Sequence, residues 1–339
     1  MMRLPAVFLI PLMSIAANYS ARKDVADGFA VVRLSDAAHH AEVAVVPSIG
    51  NMAYEFKING QNVFWMPYPT LTELQAHPQF GGIPFLAPWA NRLSEDGYFA
   101  NGKKYRLNPD LGNVRREEHQ HPIHGLLNFS ADWQVTAVEA DADSASVTSR
   151  LEFWKHPEMM AQFPFAHTIE MTYRLHDGVL EVRTTLENLS ADPMPVGIGY
   201  HPYFQIHDAP RDQWKVHLAA RDHLVLSNMK IPTGERKSIE FPDPLPLAGV
   251  ALDDVFGNLV RDSAFSVEGA HQKISVLYGP KYTVAVIYAP PGRPFICFEP
   301  MSAITDAFNL AHAGIYKELQ SIPPGSTWQE SFWIAPTGW

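Results

Sequence analysis

A chain of 339 residues with a formal net charge of −10 and no run of Lys and Arg is a poor partner for nucleic acid or an anionic membrane surface. Hydrophobic residues at 46%, charged residues at 18%, 28 Pro and 21 Gly fit a soluble, well-buried globule with many turns. The single cysteine, Cys297, excludes an intrachain disulfide and a cysteine-based zinc site, and reads as a small buried hydrophobe in a strand.

At the start, Met1-Met2-Arg3 precede an apolar run, Leu4 to Ile15, and then Ala16 and Ala17. The run is too short to span a bilayer and contains Pro5 and Pro11. This pattern predicts a signal peptide over residues 1–17 and export to the periplasm or the extracellular space, with no membrane attachment after cleavage. A misassigned start codon and a cytoplasmic protein is the alternative.

Farther along, Asn59-Gly60 and Asn101-Gly102 mark tight turns between apolar or aromatic flanks. Thr70–His77 and Thr305–His312 each have room for a turn or two of helix. Val147, Leu151 and Phe153 alternate with polar residues as a half-buried strand. Period-2 alternation is clearest over residues 168–187, where Asp177-Gly178 separates two apolar/polar runs and predicts a β-hairpin. Asp208–Asp212 and Pro242–Leu247 read as surface loops. Short apolar runs at Val284–Tyr288, Phe295–Phe298 and Phe332–Ile334 read as further strands. No helical periodicity persists beyond about a dozen residues, the length of an ordinary globular helix. The expected fold is all-β, one large antiparallel β-sandwich over residues 25–337.

Four segments carry titratable groups among aromatic or glycine neighbours. In the Gly81–Leu93 loop, Asn91 and Arg92 stand beside Trp89 and offer an amide, a fork of N–H donors and an aromatic face, the groups that recognise a sugar. The segment His119-Gln120-His121-Pro122-Ile123-His124 has metal-like density, but no carboxylate follows it, so a metal centre is not expected. His201 precedes Pro202, which biases it to extended backbone, and its aromatic neighbours suit a proton donor–acceptor near neutral pH. Glu299 follows the apolar strand Phe295–Phe298. Such a setting raises a carboxyl toward the range of a useful base.

Taken together, Asn91-Arg92, His124-Gly125, His201-Pro202-Tyr203-Phe204, Leu252-Asp253 and Phe298-Glu299-Pro300 resemble the aldose 1-epimerase (galactose mutarotase) family, in order and in spacing. The resemblance implies the large mutarotase-like β-sandwich, with anomer interconversion of a free aldohexose such as galactose or glucose as the activity. It implies Glu299 as general base, His201 as general acid and His124 as a second active-site histidine. Arg92, Asn91 and Asp253 (or its neighbour Asp254) would orient the sugar hydroxyls. No cofactor and no metal are implied, the partner is a small sugar, and the chain is expected as a monomer or homodimer. Leu126 departs from the second glycine that many members carry there. The Gly81–Trp89 lead-in is similar to the branch acting on hexose 6-phosphates, which makes a phosphosugar mutarotase the alternative, with Arg115 and Arg116 as the nearby cations. A non-catalytic carbohydrate-binding protein on this fold would need no base and acid pair. A glycoside hydrolase using Glu299 and Asp253 would leave the histidines unexplained.

Overall fold

The structure is a computed structural model that describes residues 18–339. The expected leader lies outside the described residues. The expected hairpin forms about Asp177-Gly178. His167–His176 pairs with Val179–Asn188, with Leu175 opposite Leu180 and His176 opposite Val179. Asp177 and Gly178 both take positive φ, 47° and 69°, the signature of the type I′ turn that matches strand twist. Asn59-Gly60 and Asn101-Gly102 close hairpins in the same way.

The strands assemble into three main antiparallel sheets. The first is a five-stranded meander from Tyr19–Ala26 to Gln61–Asn62. The second has nine strands, with Val179–Asn188 and Thr327–Thr337 at its centre. The third has eight strands and contains Leu252–Leu259, Val284–Ala289 and Ile296–Met301 side by side. Sheets two and three face each other across one apolar core. Tyr200 of the third sheet packs on Phe332 of the second at 4.9 Å between ring centroids, and its hydroxyl bonds Thr184. The all-β expectation holds, and the only α-helices among the described residues are short, such as Leu71–Ala76 behind its Thr70 cap and Ala307–His312.

Three local expectations need correction. Phe153 lies beyond the strand Ala145–Glu152, in a 3-10 turn that buries its ring. Leu245–Pro246 is no loop: it forms an edge strand on Lys215–His217, because Leu245 and Leu247 are apolar enough to be drawn into the core. Glu299 lies within the strand Ile296–Met301 and not at its end.

Candidate active site

Strand register brings the site together. Gly199–Tyr200 and Tyr203–Phe204 both pair with Ile296–Met301, with Gly199 opposite Met301 and Tyr203 opposite Cys297. Carried through the gap between them, the same register sets His201 opposite Glu299. The ladder is open at that point because Pro202 and Pro300 have no N–H to donate. The freed His201 N–H bonds Pro84 O instead, at 3.0 Å. Directly opposed side chains of an antiparallel pair stand close, and here His201 Nε2 lies 3.2 Å from Glu299 Oε1.

Alternation along the strands sorts the neighbours. Val286 is opposite Glu299, Tyr288 is opposite Cys297, and Asp253 is opposite Tyr288. These residues therefore share one sheet face with His201 and Tyr203, while Tyr200, Ile287 and Phe298 point into the main core. On the shared face a cavity of about 290 Å3 opens, with Glu299, His201, His124, Asn91, Arg92 and Asp253 in its lining. Asp254 is one residue out of phase and bonds His223 at 2.9 Å, so Asp253 is the acid at the cavity.

His124 arrives on a different loop whose backbone is tightly constrained. His124 and Gly125 both have positive φ, 63° and 67°. A Cβ on Gly125 would fall 2.1 Å from Ala87 O, so only glycine fits. His124 N donates to Asn91 O at 2.9 Å, and Asn91 N donates back to His124 Nδ1 at 3.2 Å. With Nδ1 accepting, the neutral ring keeps its proton on Nε2 and is a donor there. Arg92 Nη1 bonds Asn91 Oδ1 at 3.0 Å, and Arg92 Nε lies 3.8 Å from Glu117. Asp306 anchors this loop by donating its N–H to Arg92 O and accepting from Ser94 N.

Burial dominates the electrostatics. Glu299 is 1% exposed and His201 7%. Burial, with Asp253 adding and Arg92 opposing, holds the Glu299 carboxyl well above its usual range. Burial, with Arg115 adding, brings His201 down to about 3. Burial, His201, Arg115 and Arg92 together keep His124 well below an ordinary histidine. Each group is thus pushed toward its neutral form. Glu299 Oε2 and His201 Nδ1 have no hydrogen-bond partner, unusual for buried polar atoms and common where a ligand is to be met.

A metal reading fits poorly. Ligand atoms of His201, Cys297 and Glu299 lie within 4.8 Å of one another. Burial and the Glu299 charge nevertheless push the Cys297 thiol well up, away from the thiolate a metal binds. His119 is exposed, and His121 is tied to Glu117 at 3.0 Å; neither lines the cavity.

The aromatic wall differs from expectation. Trp89 is 2% exposed and packs on Tyr98 in the core, so it offers no face to a ligand. Phe80 does this instead, 5.4 Å from His124 and 5.6 Å from His201, with Tyr203 stacked on His201 at 4.7 Å and Tyr288 beyond. Phe80 and Tyr288 are single aromatics in unremarkable runs, and nothing in their local sequence marks them.

The family model for aldose 1-epimerase matches residues 32–335. The chain belongs to the aldose 1-epimerase family. It is 25% identical over 230 residues to the uncharacterized protein YihR of Escherichia coli K12, covering 66% of this chain and 70% of that protein. A galactose mutarotase-like protein from Clostridium acetobutylicum superposes with a TM-score of 0.83 at 20% identity, over 95% of this chain and 99% of its own. Galactose 1-epimerase from Lactobacillus acidophilus gives a TM-score of 0.72 at 13% identity, over 95% and 99%. At such identities these structures establish the shared mutarotase-like fold.

Proposed function

We propose that this member of the family interconverts the α and β anomers of a free aldohexose such as galactose or glucose. The observation that carries the reading is the buried His201–Glu299 contact at 3.2 Å on the cavity lining. Such a pair holds one proton in two arrangements. With Glu299 ionised and His201 protonated, Glu299 takes the proton of the anomeric hydroxyl while His201 gives its own to the ring oxygen. The C1–O5 bond breaks as the C1 carbonyl forms, leaving protonated Glu299 and neutral His201. Burial favours that neutral pair, so the site is matched to the open-chain stage. After rotation about C1–C2, the steps reverse on the other carbonyl face and the proton inventory is restored. Arg92, Asn91 and Asp253 orient hydroxyls, and the His124 Nε2 proton is a further donor. Only protons move, so the proposal includes no metal or organic cofactor.

A second substrate reading rests on Arg115. Its guanidinium lies over Phe80 at 4.4 Å on the cavity lining and forms no ion pair among the described residues, whereas Arg116 is held by Asp96 at 2.7 Å. An unspent cation there fits the phosphate of a hexose 6-phosphate. Polarimetry of galactose, glucose and glucose 6-phosphate, with and without chelator, separates the readings. Free hexoses are expected to be turned over with the higher kcat/KM, undiminished by chelation. A preference for glucose 6-phosphate that falls at least about 10-fold in Arg115→Met, the scale of one charge-assisted contact, moves the substrate to phosphosugars. No acceleration of any anomerisation ends the enzyme reading.

A further inference from the structure

A larger cavity, about 490 Å3, lies between the N-terminal sheet and the segment Trp65–Leu71, and takes no part in the chemistry above. Its volume falls within the roughly 300–1,000 Å3 of small-molecule sites. Trp65 and Tyr68, both only partly buried, line it. Gln205 spends its amide N–H groups on Asn62 O and Phe64 O, which fixes the side chain and leaves its oxygen as a free acceptor. Tyr54, 7% exposed, contributes a hydroxyl with no partner. Burial pushes that phenol up to about 12, so it stays a neutral donor at physiological pH.

Charge in this cavity is spent or negative. Arg33 is paired with Asp24 at 2.9 Å and Glu55 at 3.0 Å, and Lys57 with Glu55 at 2.7 Å. Asp27 accepts from Leu71 N through Oδ2. Among the described residues, no unpaired Lys or Arg lines this cavity. The aromatic side chains of Trp65 and Tyr68, with the Gln205 oxygen and the Tyr54 hydroxyl, match the apolar ring face and hydroxyl rim of an uncharged pyranose.

We propose that this cavity is a second, non-catalytic site for a neutral pyranose. A shared aromatic wall separates it from the catalytic cavity: the Trp65 ring packs on Tyr203 at 5.7 Å, and Tyr203 stacks on His201. The site does not depend on the mutarotation reading, because none of its groups acts in the proton transfers.

Equilibrium dialysis with labelled galactose, and with glucose 6-phosphate as the anionic comparison, tests it. Two equivalents of galactose per chain are expected at saturation, in the wild type and in Glu299→Gln. Tyr68→Ala should bind one equivalent while keeping kcat within about 2-fold. Tyr54→Phe removes only an unpartnered hydroxyl, so it should fold normally and weaken the second site about 5-fold, the scale of one hydrogen bond. Glucose 6-phosphate should never occupy that site. One equivalent in the wild type that persists in Tyr68→Ala overturns the proposal, as does unchanged two-site binding in both Tyr68→Ala and Tyr54→Phe; one equivalent that Tyr68→Ala abolishes is this site alone and supports it. Two equivalents without turnover would remove the mutarotase reading and leave this one standing.

Discussion

The two central side chains, His201 and Glu299, meet at 3.2 Å and are each pushed toward the neutral form by burial. Replacing Glu299 with Gln or His201 with Asn is expected to lower kcat at least about 10²-fold, the scale of one acid or base. The double variant should lose less than the product of the single losses, because the pair moves one proton as a unit. The pH–rate profile should be a bell whose limbs belong to the pair. Its acid limb adds a proton to a histidine held at about 3, and its basic limb removes one from a carboxyl held well above its usual range. Activity should therefore persist well below the pH at which an ordinary histidine would protonate. A profile with a single limb near pH 6.5, the free-imidazole value, would contradict this coupling. Arg92 is different in kind. Its planar fork spans Asn91 and the cavity, and Lys is a point donor. Arg92→Lys should reduce kcat/KM for free hexoses about 10-fold or more, with an almost unchanged thermal midpoint. Normal kinetics in this variant would make Arg92 structural.

At the scale of elements, the site is two loops, those of Asn91-Arg92 and His124, set against one interrupted strand pair and the strands beside it. The His124 loop tolerates no adjustment at Gly125, where a new Cβ meets the carbonyl of Ala87 and φ is already positive. Gly125→Ala should cost on the order of 2 kcal/mol or more, from backbone strain plus a displaced loop, and should cut activity as well. Gly199 makes a useful contrast, because the first atom an added Cβ meets there is the movable Met301 sulfur. Gly199→Ala should lower the thermal midpoint less than Gly125→Ala; equal losses would mean that the His124 loop is not rigid. The same elements show what local sequence could reveal. Asp177-Gly178, Asn59-Gly60 and Asn101-Gly102 state their turns outright, since few other residues accept paired positive φ. Leu245–Pro246 and Phe153 depart from their local pattern because tertiary burial decides them.

Across the whole molecule, buried histidines link stability to pH. His167 stacks on Phe153 at 4.2 Å, bonds Phe165 O at 2.7 Å, and is brought down to about 4 by burial. Unfolded, it titrates near 6.5, so the unfolded chain binds more protons between these values. Its stabilising contribution is complete above about 6.5 and is lost as pH falls toward 4. His124 and His201 act in the same direction. Glu299 acts oppositely, contributing below the ordinary carboxyl range and losing that contribution as pH rises through its raised value. The urea midpoint should therefore drop between pH 7 and pH 5, and His167→Asn should flatten that slope. An unchanged slope would show that His167 is protonated in the folded protein.

Alternation and turn dipeptides were enough to specify an all-β chain, because strand period and αL turns are properties of adjacent residues. The polar residues that line the cavity, Asn91, Arg92, His124, His201, Asp253 and Glu299, were legible as short strings in order. Their meeting was not. His201 and Glu299 are separated by most of a hundred residues and become neighbours only through the register of two short strands with Ile296–Met301. The choice of Asp253 over Asp254 likewise follows from which face of the sheet each one takes. Trp89 looked like a binding platform and is core, while Phe80 and Tyr288 form the wall. Burial, and with it the shifted protonation of Glu299, His201 and His124, is a property of packing between distant segments, and only the tertiary structure decides it.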